Sequence, residues 1–254
     1  MVLLVDIGNT NIVVAVAEKD EFITKFRLFT DDKKTSDEYS VILKSLIKEK
    51  IRDFSEIKSA VISSVVPNLT LSFQKVVYSL FSIEPLMVSH DVKTGLVRST
   101  IPSELGYDLL CNLAYAHHTH PEENVMVVDF GTALTFSTVD KEGKVLGVSI
   151  APGLITAVNS LFGATAQLPQ VELKIPSSVL GRDSQCSIRS GIMIGFSGLV
   201  EKIISETEKE ISQPLFVIAT GGLSKTMNAA ISRIDSLDPE HTLRGLKLIA
   251  DLNC

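Results

Sequence analysis

The sequence predicts an α/β fold made of two duplicated lobes, and three observations support this prediction. Short apolar runs rich in β-branched residues alternate with segments of helical periodicity. A strand-turn-strand pattern at the start of the chain recurs about half a chain later, which indicates a single internal duplication. The length of 254 residues and the 45% hydrophobic content are enough to bury a substantial core.

The first element is a predicted hairpin in residues 1–17, MVLLVDIGNTNIVVAVA. Its two apolar runs flank a polar turn from Asp6 to Asn11, which is typical of two strands joined by a short connection. From Val125 the chain reads VMVVDFGTALTFSTVD, and placing Asp6 on Asp129 aligns the two segments. Each lobe is therefore expected to open with the same hairpin.

A second pair of strand patterns supports the duplication. Ser59–Pro67 and Leu215–Leu223 are both short apolar runs that end in small residues and a turn. They occupy corresponding places in the two halves, so the two lobes are expected to share a topology.

Helical patterns lie between the strands. One spans Asp37–Lys50, where Ser36 is predicted to cap the helix. Its predicted apolar stripe consists of Tyr39, Ile42, Leu43 and Leu46. Further helices are predicted at Glu104–His117, Leu154–Phe162, Ile188–Ser205 and Leu243–Leu252.

The polar run HHTHPEEN, which ends at Asn124, is the predicted boundary between a first lobe of residues 1–120 and a second of 121–254. Its histidines, His117, His118 and His120, have no acidic or thiol partner at metal-ligand spacing. They are interpreted as solvated loop residues.

Composition excludes several classes of function. The net charge of −6 and the pI of about 5.4 argue against a nucleic-acid-binding surface and favour small-molecule partners. The three scattered cysteines fit a reducing compartment. The N-terminal apolar run is too short for a membrane span and lacks the basic flank of a signal peptide, so a cytoplasmic protein is expected.

The turn that begins at Asp6 combines a carboxylate at a strand end with Gly8, whose backbone can approach a phosphate closely, and with the polar side chains of Asn9 and Thr10. Magnesium between the carboxylate and a polyphosphate would relieve their repulsion. The alternative is an ordinary turn closed by an Asx hydrogen bond, which the repetition at Asp129 makes less favoured. The phosphate-binding patterns G-x-x-x-x-G-K-[ST] and G-x-G-x-x-G are both missing from the sequence.

Several motifs in order resemble the type III pantothenate kinases of the actin and hexokinase-like superfamily. The motifs are D-x-G-N-T at Asp6, S-S-V-V-P at Ser63, T-G-L at Thr94, P-x-x-L-G-x-D at Pro102, V-V-D-F-G-T-A at Val127, A-P-G at Ala151, A-x-L-P at Ala166–Pro169, S-I-x-S-G at Ser187, A-T-G-G-L at Ala219 and T-L-x-G-L-x-L-I at Thr242. The combination spans nearly the whole chain and is more specific than any one piece.

The resemblance implies an ATP-dependent kinase that phosphorylates pantothenate to 4′-phosphopantothenate, the first step toward coenzyme A, and that forms a homodimer. Asp108 is implied as the general base, Asp6 as the residue oriented toward Mg²⁺, and Asp129 as the ligand of a monovalent cation, K⁺ or NH₄⁺. The implied ATP contacts are Asp6, Ile7, Gly8, Asn9, Thr10, Asn11, Ile12, Val13 and Thr132. The implied acceptor contacts are Gly106, Tyr107, Asp108, Leu109 and Ser184.

Two residues depart from the family pattern Gly-Ala-Asp-Arg, because Tyr107 replaces the alanine and Leu109 the arginine. Leucine supplies neither the charge nor the donors of a guanidinium. Two alternatives therefore stay open: a phosphotransferase of the same fold with another acceptor, and a catalytically weak regulatory paralogue. The three aspartates Asp6, Asp108 and Asp129 argue against the second.

Overall fold

Two five-stranded sheets form the framework of the protein, which is described by a computed structural model over residues 1–164 and 171–254. The first sheet contains β1 (Val2–Ile7), β2 (Asn11–Glu18), β3 (Glu21–Phe29), β4 (Ser59–Ser64) and β5 (Leu86–Met87). The second contains β6 (Val125–Phe130), β7 (Ala133–Val139), β8 (Val145–Pro152), β9 (Phe216–Thr220) and β10 (Ser236–Leu237).

The two sheets have the same strand order and directions. The first is ordered β3-β2-β1-β4-β5 and the second, read the same way, β8-β7-β6-β9-β10. In each sheet the opening hairpin is antiparallel, and its first strand pairs in parallel with the strand after the crossover. The predicted duplication and both predicted hairpins are therefore confirmed.

Seven α-helices accompany the sheets in the described residues. They are α1 (Ser36–Lys48), α2 (Pro67–Phe81), α3 (Tyr107–Thr119), α4 (Leu154–Ala164), α5 (Ser184–Ile211), α6 (Ser224–Asn228) and α7 (His241–Asn253). All five helices predicted from periodicity are present, although α5 is longer at both ends than the predicted 188–205. None of the described helices combines the length and the apolar content that crossing a membrane requires.

The cap of α1 differs from the prediction. Thr35, not Ser36, is the N-cap, because its backbone is extended and its hydroxyl accepts the Glu38 N–H at 3.3 Å. The Glu38 carboxylate accepts the Thr35 N–H at 2.8 Å in return, which completes a capping box. Ser36 is thus the first helical residue.

The buried face of α1 is also shifted relative to the predicted stripe. Tyr39 and Leu43 are buried as predicted, but the third buried residue is Ile47, whereas Ile42 and Leu46 are only half-buried. These side chains join the core formed by one face of the first sheet with α1 and α2. The second sheet has its own core, to which α5 contributes Met193.

The chain divides into two compact units, Met1–Tyr115 together with Thr242–Cys254, and Ala116–His241. The division falls within α3 and not at the predicted position after residue 120. The C-terminal segment groups with the first unit because α7 packs closely on α3: a Cβ at Gly245 would overlap the backbone of Cys111. Asn253 also exchanges two 2.9 Å hydrogen bonds with the Lys93 backbone.

The predicted histidine loop is wrong in part. His117 and His118 lie in the last turn of α3. The His120 ring stacks on Phe216 with 4.3 Å between ring centroids. The run therefore terminates a helix and contacts the second sheet, and it is not a simple solvated connection.

Candidate functional site

The turn of the first hairpin is held by backbone hydrogen bonds. The Gly8 N–H donates to the Asn11 carbonyl at 3.0 Å, and the Thr30 hydroxyl and N–H donate to the carbonyls of Gly8 and Thr10 at 2.6 and 3.0 Å. A Cβ at position 8 would lie 3.1 Å from the Asn11 carbonyl oxygen, so glycine suits the tight turn. Asn9 is exposed at the tip. The turn is a fixed loop whose polar tip is accessible to a ligand.

Asp6 is the next-to-last residue of β1 and is half-buried. Leu3, Val5 and Ile7 enter the core against α1 and α2, so Asp6 projects from the opposite face of the sheet. Ser63 on the adjacent parallel strand is in register with Asp6. The carboxylate therefore stands near the carboxyl ends of two parallel strands, where α/β proteins commonly bind ligands.

Asp108 lies in the first turn of α3, and its carboxylate oxygen accepts the Leu109 N–H at 2.8 Å. A Cβ at Gly106 would stand 2.5 Å from that same Asp108 oxygen and 3.8 Å from a Val65 methyl group. Burial raises the pKa of Asp108 above its ordinary value of 3.8, and the backbone hydrogen bond from Leu109 opposes this only partly. A carboxylate whose basicity is raised by desolvation suits a general base.

Cys111 shows that Asp6 and Asp108 lie in one neighbourhood of the first unit. This thiol is fully buried, and its pKa is raised well above 9.0, first by burial and then by the negative charges of Asp6 and Asp108. The backbone geometry agrees, because Val65 lies beside the Gly106 turn that carries Asp108 and donates its N–H to the Ile7 carbonyl, next to Asp6, at 3.0 Å. Residues separated by about a hundred positions in the chain are thus brought together, and Cys111 itself carried no functional signal in the sequence.

The predicted acceptor residues have different environments. Leu109 is only 6% exposed. The half-buried Tyr107 ring lies 5.3 Å from the His90 ring, whose Nε2 is 3.0 Å from the Leu105 carbonyl oxygen. Ser184 belongs to the second unit, where it is exposed and begins α5.

The turn of the second hairpin is surrounded by close backbone contacts. The Thr132 carbonyl accepts the Gly153 N–H at 3.1 Å and the Thr156 hydroxyl at 2.8 Å. Gly221 has φ +90°, and a Cβ there would overlap both the Asp129 carboxylate and the Phe130 backbone. The glycine turn of the A-T-G-G-L motif therefore packs directly against Asp129 of the second hairpin.

The two hairpin aspartates have surroundings that fit the cations implied for them. Within the described ranges, no three His, Cys, Asp or Glu side chains are grouped as a metal cage. Mg²⁺ beside a nucleotide commonly uses one or two carboxylates together with phosphates and water, which fits Asp6. Asp129 is in register with Thr135 and Thr220, whose hydroxyls are oxygen donors suited to a hard monovalent cation.

Known structures identify the class of fold. A Baf family protein from Campylobacter jejuni is similar with a TM-score of 0.59 and 20% identity, over 98% of this chain and 97% of that one. An activator of 2-hydroxyisocaproyl-CoA dehydratase from Clostridium difficile, with bound ADPNP, has a TM-score of 0.54 and 15% identity over 99% and 95% of the two chains. Porphyromonas gingivalis acetate kinase has a TM-score of 0.52 and 13% identity over 90% and 84%. These similarities show that the protein shares the α/β fold of two like sheets with these proteins.

The family follows from the sequence itself, since the model of the type III pantothenate kinase family matches residues 2–206. The chain belongs to the type III pantothenate kinase family and is a phosphotransferase. The family resemblance drawn from the motifs is thereby confirmed. The A-x-L-P motif at Ala166–Pro169 lies outside the described residues, and the roles of the individual site residues remain predictions.

Proposed function

We propose that the protein phosphorylates pantothenate with ATP to give 4′-phosphopantothenate, the first step of coenzyme A biosynthesis. The observation that carries the proposal is the placement of Asp6 and Asp108 near one thiol of the first unit, with the pKa of Asp108 raised by burial. One carboxylate is thus adjacent to a phosphate-type turn, and the other is adapted to accept a proton. Family membership supports pantothenate as the acceptor.

In the proposed reaction, Asp108 accepts the proton of the primary hydroxyl of pantothenate. The hydroxyl oxygen forms a bond to the γ-phosphorus of ATP, the bond from that phosphorus to the β-bridging oxygen breaks, and ADP leaves. Phosphoryl transfer depends mainly on positioning and charge stabilisation. Asp6 and the backbone of residues 8–11 orient the phosphates.

Mg²⁺, when bound, neutralises charge on the phosphate oxygens. Asp6 would hold it directly or through water. Asp129 would hold K⁺ or NH₄⁺ with the neighbouring hydroxyls of the second sheet. Replacing each aspartate with asparagine separates the two roles, because Asp6→Asn is expected to weaken Mg-nucleotide binding and Asp129→Asn to remove the dependence on the monovalent cation.

A second candidate is a phosphotransferase of the same fold that acts on another acceptor. Leu109 favours it, because a buried leucine offers no charge to a substrate carboxylate. The deciding assay measures ADP release by purified protein with ATP, Mg²⁺ and K⁺, with and without pantothenate. Stimulation by pantothenate supports the first proposal. Stimulation of ADP release only by another alcohol in an acceptor screen supports the second candidate. If no acceptor stimulates ADP release, neither candidate is supported.

We also propose that the protein is a homodimer that pairs through α5. Gly191, Gly195 and Gly198 share one side of this helix, and a Cβ added at any of them would meet nothing within 4 Å. Glycine inside a helix costs about 1 kcal/mol relative to alanine, whereas it permits close approach of another backbone. Ile194 on α5 is 41% exposed and Ile155 on the adjacent α4 is 54% exposed, so apolar surface is also available.

Light scattering tests this proposal. The wild type is expected to be dimeric at micromolar concentration, and Gly195→Leu to be monomeric because its side chain would separate the helices. Gly195→Ala is the matched control, with a much smaller side chain. A monomeric wild type, or a Gly195→Leu variant that remains dimeric, would contradict pairing through this surface.

A further inference from the structure

We infer that Ser63 is a positioning residue of the Asp6 site, whose hydroxyl binds an ordered water and through it orients the Asp6 carboxylate toward the magnesium-nucleotide. This inference rests on the proposed nucleotide binding and assigns a role to a residue that the sequence motif S-S-V-V-P did not distinguish from its neighbours. Ser63 is completely buried on the central parallel strand β4.

The Ser63 hydroxyl is a buried polar group whose oxygen finds no hydrogen-bond partner among the described residues. Leaving such a group unpaired costs folding free energy, so buried hydroxyls normally bind a protein group or an ordered water. The next residue provides a contrast, since the Ser64 hydroxyl accepts the Val66 N–H at 3.2 Å and lies 2.9 Å from the Thr70 hydroxyl. Ser64 thus has a local structural role, and Ser63 lacks one.

The direction of the Ser63 side chain is fixed by the sheet. Ala60 and Ile62 of the same strand enter the core against α1 and α2, so Ser63 projects from the other face. Asp6 projects from that face as well, and the two residues are in register on adjacent parallel strands. Cys111, which is electrostatically coupled to Asp6 and Asp108, belongs to the same neighbourhood. The unpaired hydroxyl is therefore beside the candidate site and not in an unrelated part of the core.

The duplication supplies an independent comparison. In the second unit the residue in register with Asp129 on the corresponding strand is Thr220, which is 1% exposed and also carries a hydroxyl. Both halves therefore place a buried hydroxyl beside the hairpin aspartate. A water needs two to four polar partners to be held in a protein interior, and a hydroxyl with a neighbouring carboxylate provides the first two.

The test compares Ser63→Ala with Ser63→Thr, which retains the hydroxyl and matches the residue of the second unit. Ser137→Ala is the matched control, because Ser137 is another fully buried hydroxyl without a partner among the described residues. Calorimetry measures the affinity for a non-hydrolysable ATP analogue with and without Mg²⁺, in the absence of pantothenate. Thermal denaturation of the ligand-free proteins reports folding separately.

Ser63→Ala is expected to lower the affinity for the Mg-nucleotide about three- to tenfold, which is the change in affinity that the loss of one hydrogen bond usually causes. Binding without Mg²⁺ should change less, and the melting temperature should change little, because the alanine removes the buried hydroxyl together with its need for a water partner. Ser63→Thr should recover most of the affinity. Ser137→Ala should bind as the wild type does.

Equal Mg-nucleotide affinity in wild type and Ser63→Ala would overturn this inference alone. The same loss in Ser137→Ala would also overturn it, because the effect would then be general to buried hydroxyls. If the wild type binds Mg-nucleotide but releases no pantothenate-dependent ADP, the proposed acceptor is overturned, while weaker Mg-nucleotide binding by Ser63→Ala still supports the role of Ser63. A wild type that binds no Mg-nucleotide overturns both.

Discussion

Replacing Leu109 with arginine restores the residue of the family pattern and asks whether position 109 faces the acceptor or the protein interior. The family pattern alone predicts a better enzyme, because one charge-assisted contact is worth about 1.5–3 kcal/mol, or roughly ten- to a hundredfold in kcat/KM. The structure predicts a different result. Leu109 is 6% exposed, so an arginine there would have to bury its guanidinium or displace neighbouring groups to reach solvent.

The magnitude follows from the burial of the side chain. Losing a buried leucine forfeits about 1.5–3 kcal/mol of hydrophobic stabilisation, and a longer side chain adds a packing cost of about 1–3 kcal/mol. We therefore expect Leu109→Arg to lose about 2.5–6 kcal/mol of stability, which lowers the melting temperature by about 5 °C or more in a protein of this size. No gain in kcat/KM for pantothenate is expected.

The assay combines thermal denaturation with pantothenate-dependent ADP release, and Leu109→Met is the matched control. Methionine conserves volume and polarity, so it should cost less than about 1.5 kcal/mol. An arginine variant as stable as the wild type, with kcat/KM raised tenfold or more, would refute the reasoning. It would show that this side chain reaches the acceptor.

Three further predictions concern the aspartates and the glycines beside them. Burial raises the pKa of Asp108, so the folded protein holds this proton to a higher pH than the unfolded chain does. As the pH rises from 3.8 through the folded pKa, ionisation of Asp108 therefore lowers the stability of the wild type. In denaturant titrations, the free energy of unfolding of Asp108→Asn should therefore increase relative to that of the wild type over this pH range, and the variant should lose turnover. A stability difference that does not change with pH would contradict this prediction. Gly106→Ala should lower kcat, because its methyl group displaces the tip of the Asp108 side chain, and should leave the melting temperature nearly unchanged. An unchanged kcat would count against Asp108 as the base. Gly221→Ala should lower the free energy of unfolding by about 2–4 kcal/mol, because φ of +90° disfavours a side chain and the methyl group would overlap Asp129 and its neighbouring backbone. A variant as stable as the wild type would disprove that account.

The local pattern of residues was sufficient to predict the elements of the fold. Alternating β-branched runs around polar turns predicted both hairpins, and the repetition at Asp129 of the pattern around Asp6 predicted two sheets of one topology. Strand and helix signals of this kind depend on neighbours within a few positions, so they are legible in the sequence. The exact N-cap of α1 could not be predicted in this way, because Thr35 and Ser36 are equally suitable by residue type and only the backbone conformation distinguishes them.

The tertiary structure decided which residues share a site and which face the interior. Register across the parallel strands β1 and β4 sets Ser63 beside Asp6, and the packing of α3 brings Cys111 close to both Asp6 and Asp108. Leu109 is buried, although the family pattern has an arginine at this position. These facts depend on contacts between residues distant in the chain and on the solvent that each side chain loses on folding. The sequence determines these long-range contacts and the burial of each side chain. Its local pattern does not reveal them, because they arise only when separate elements pack together.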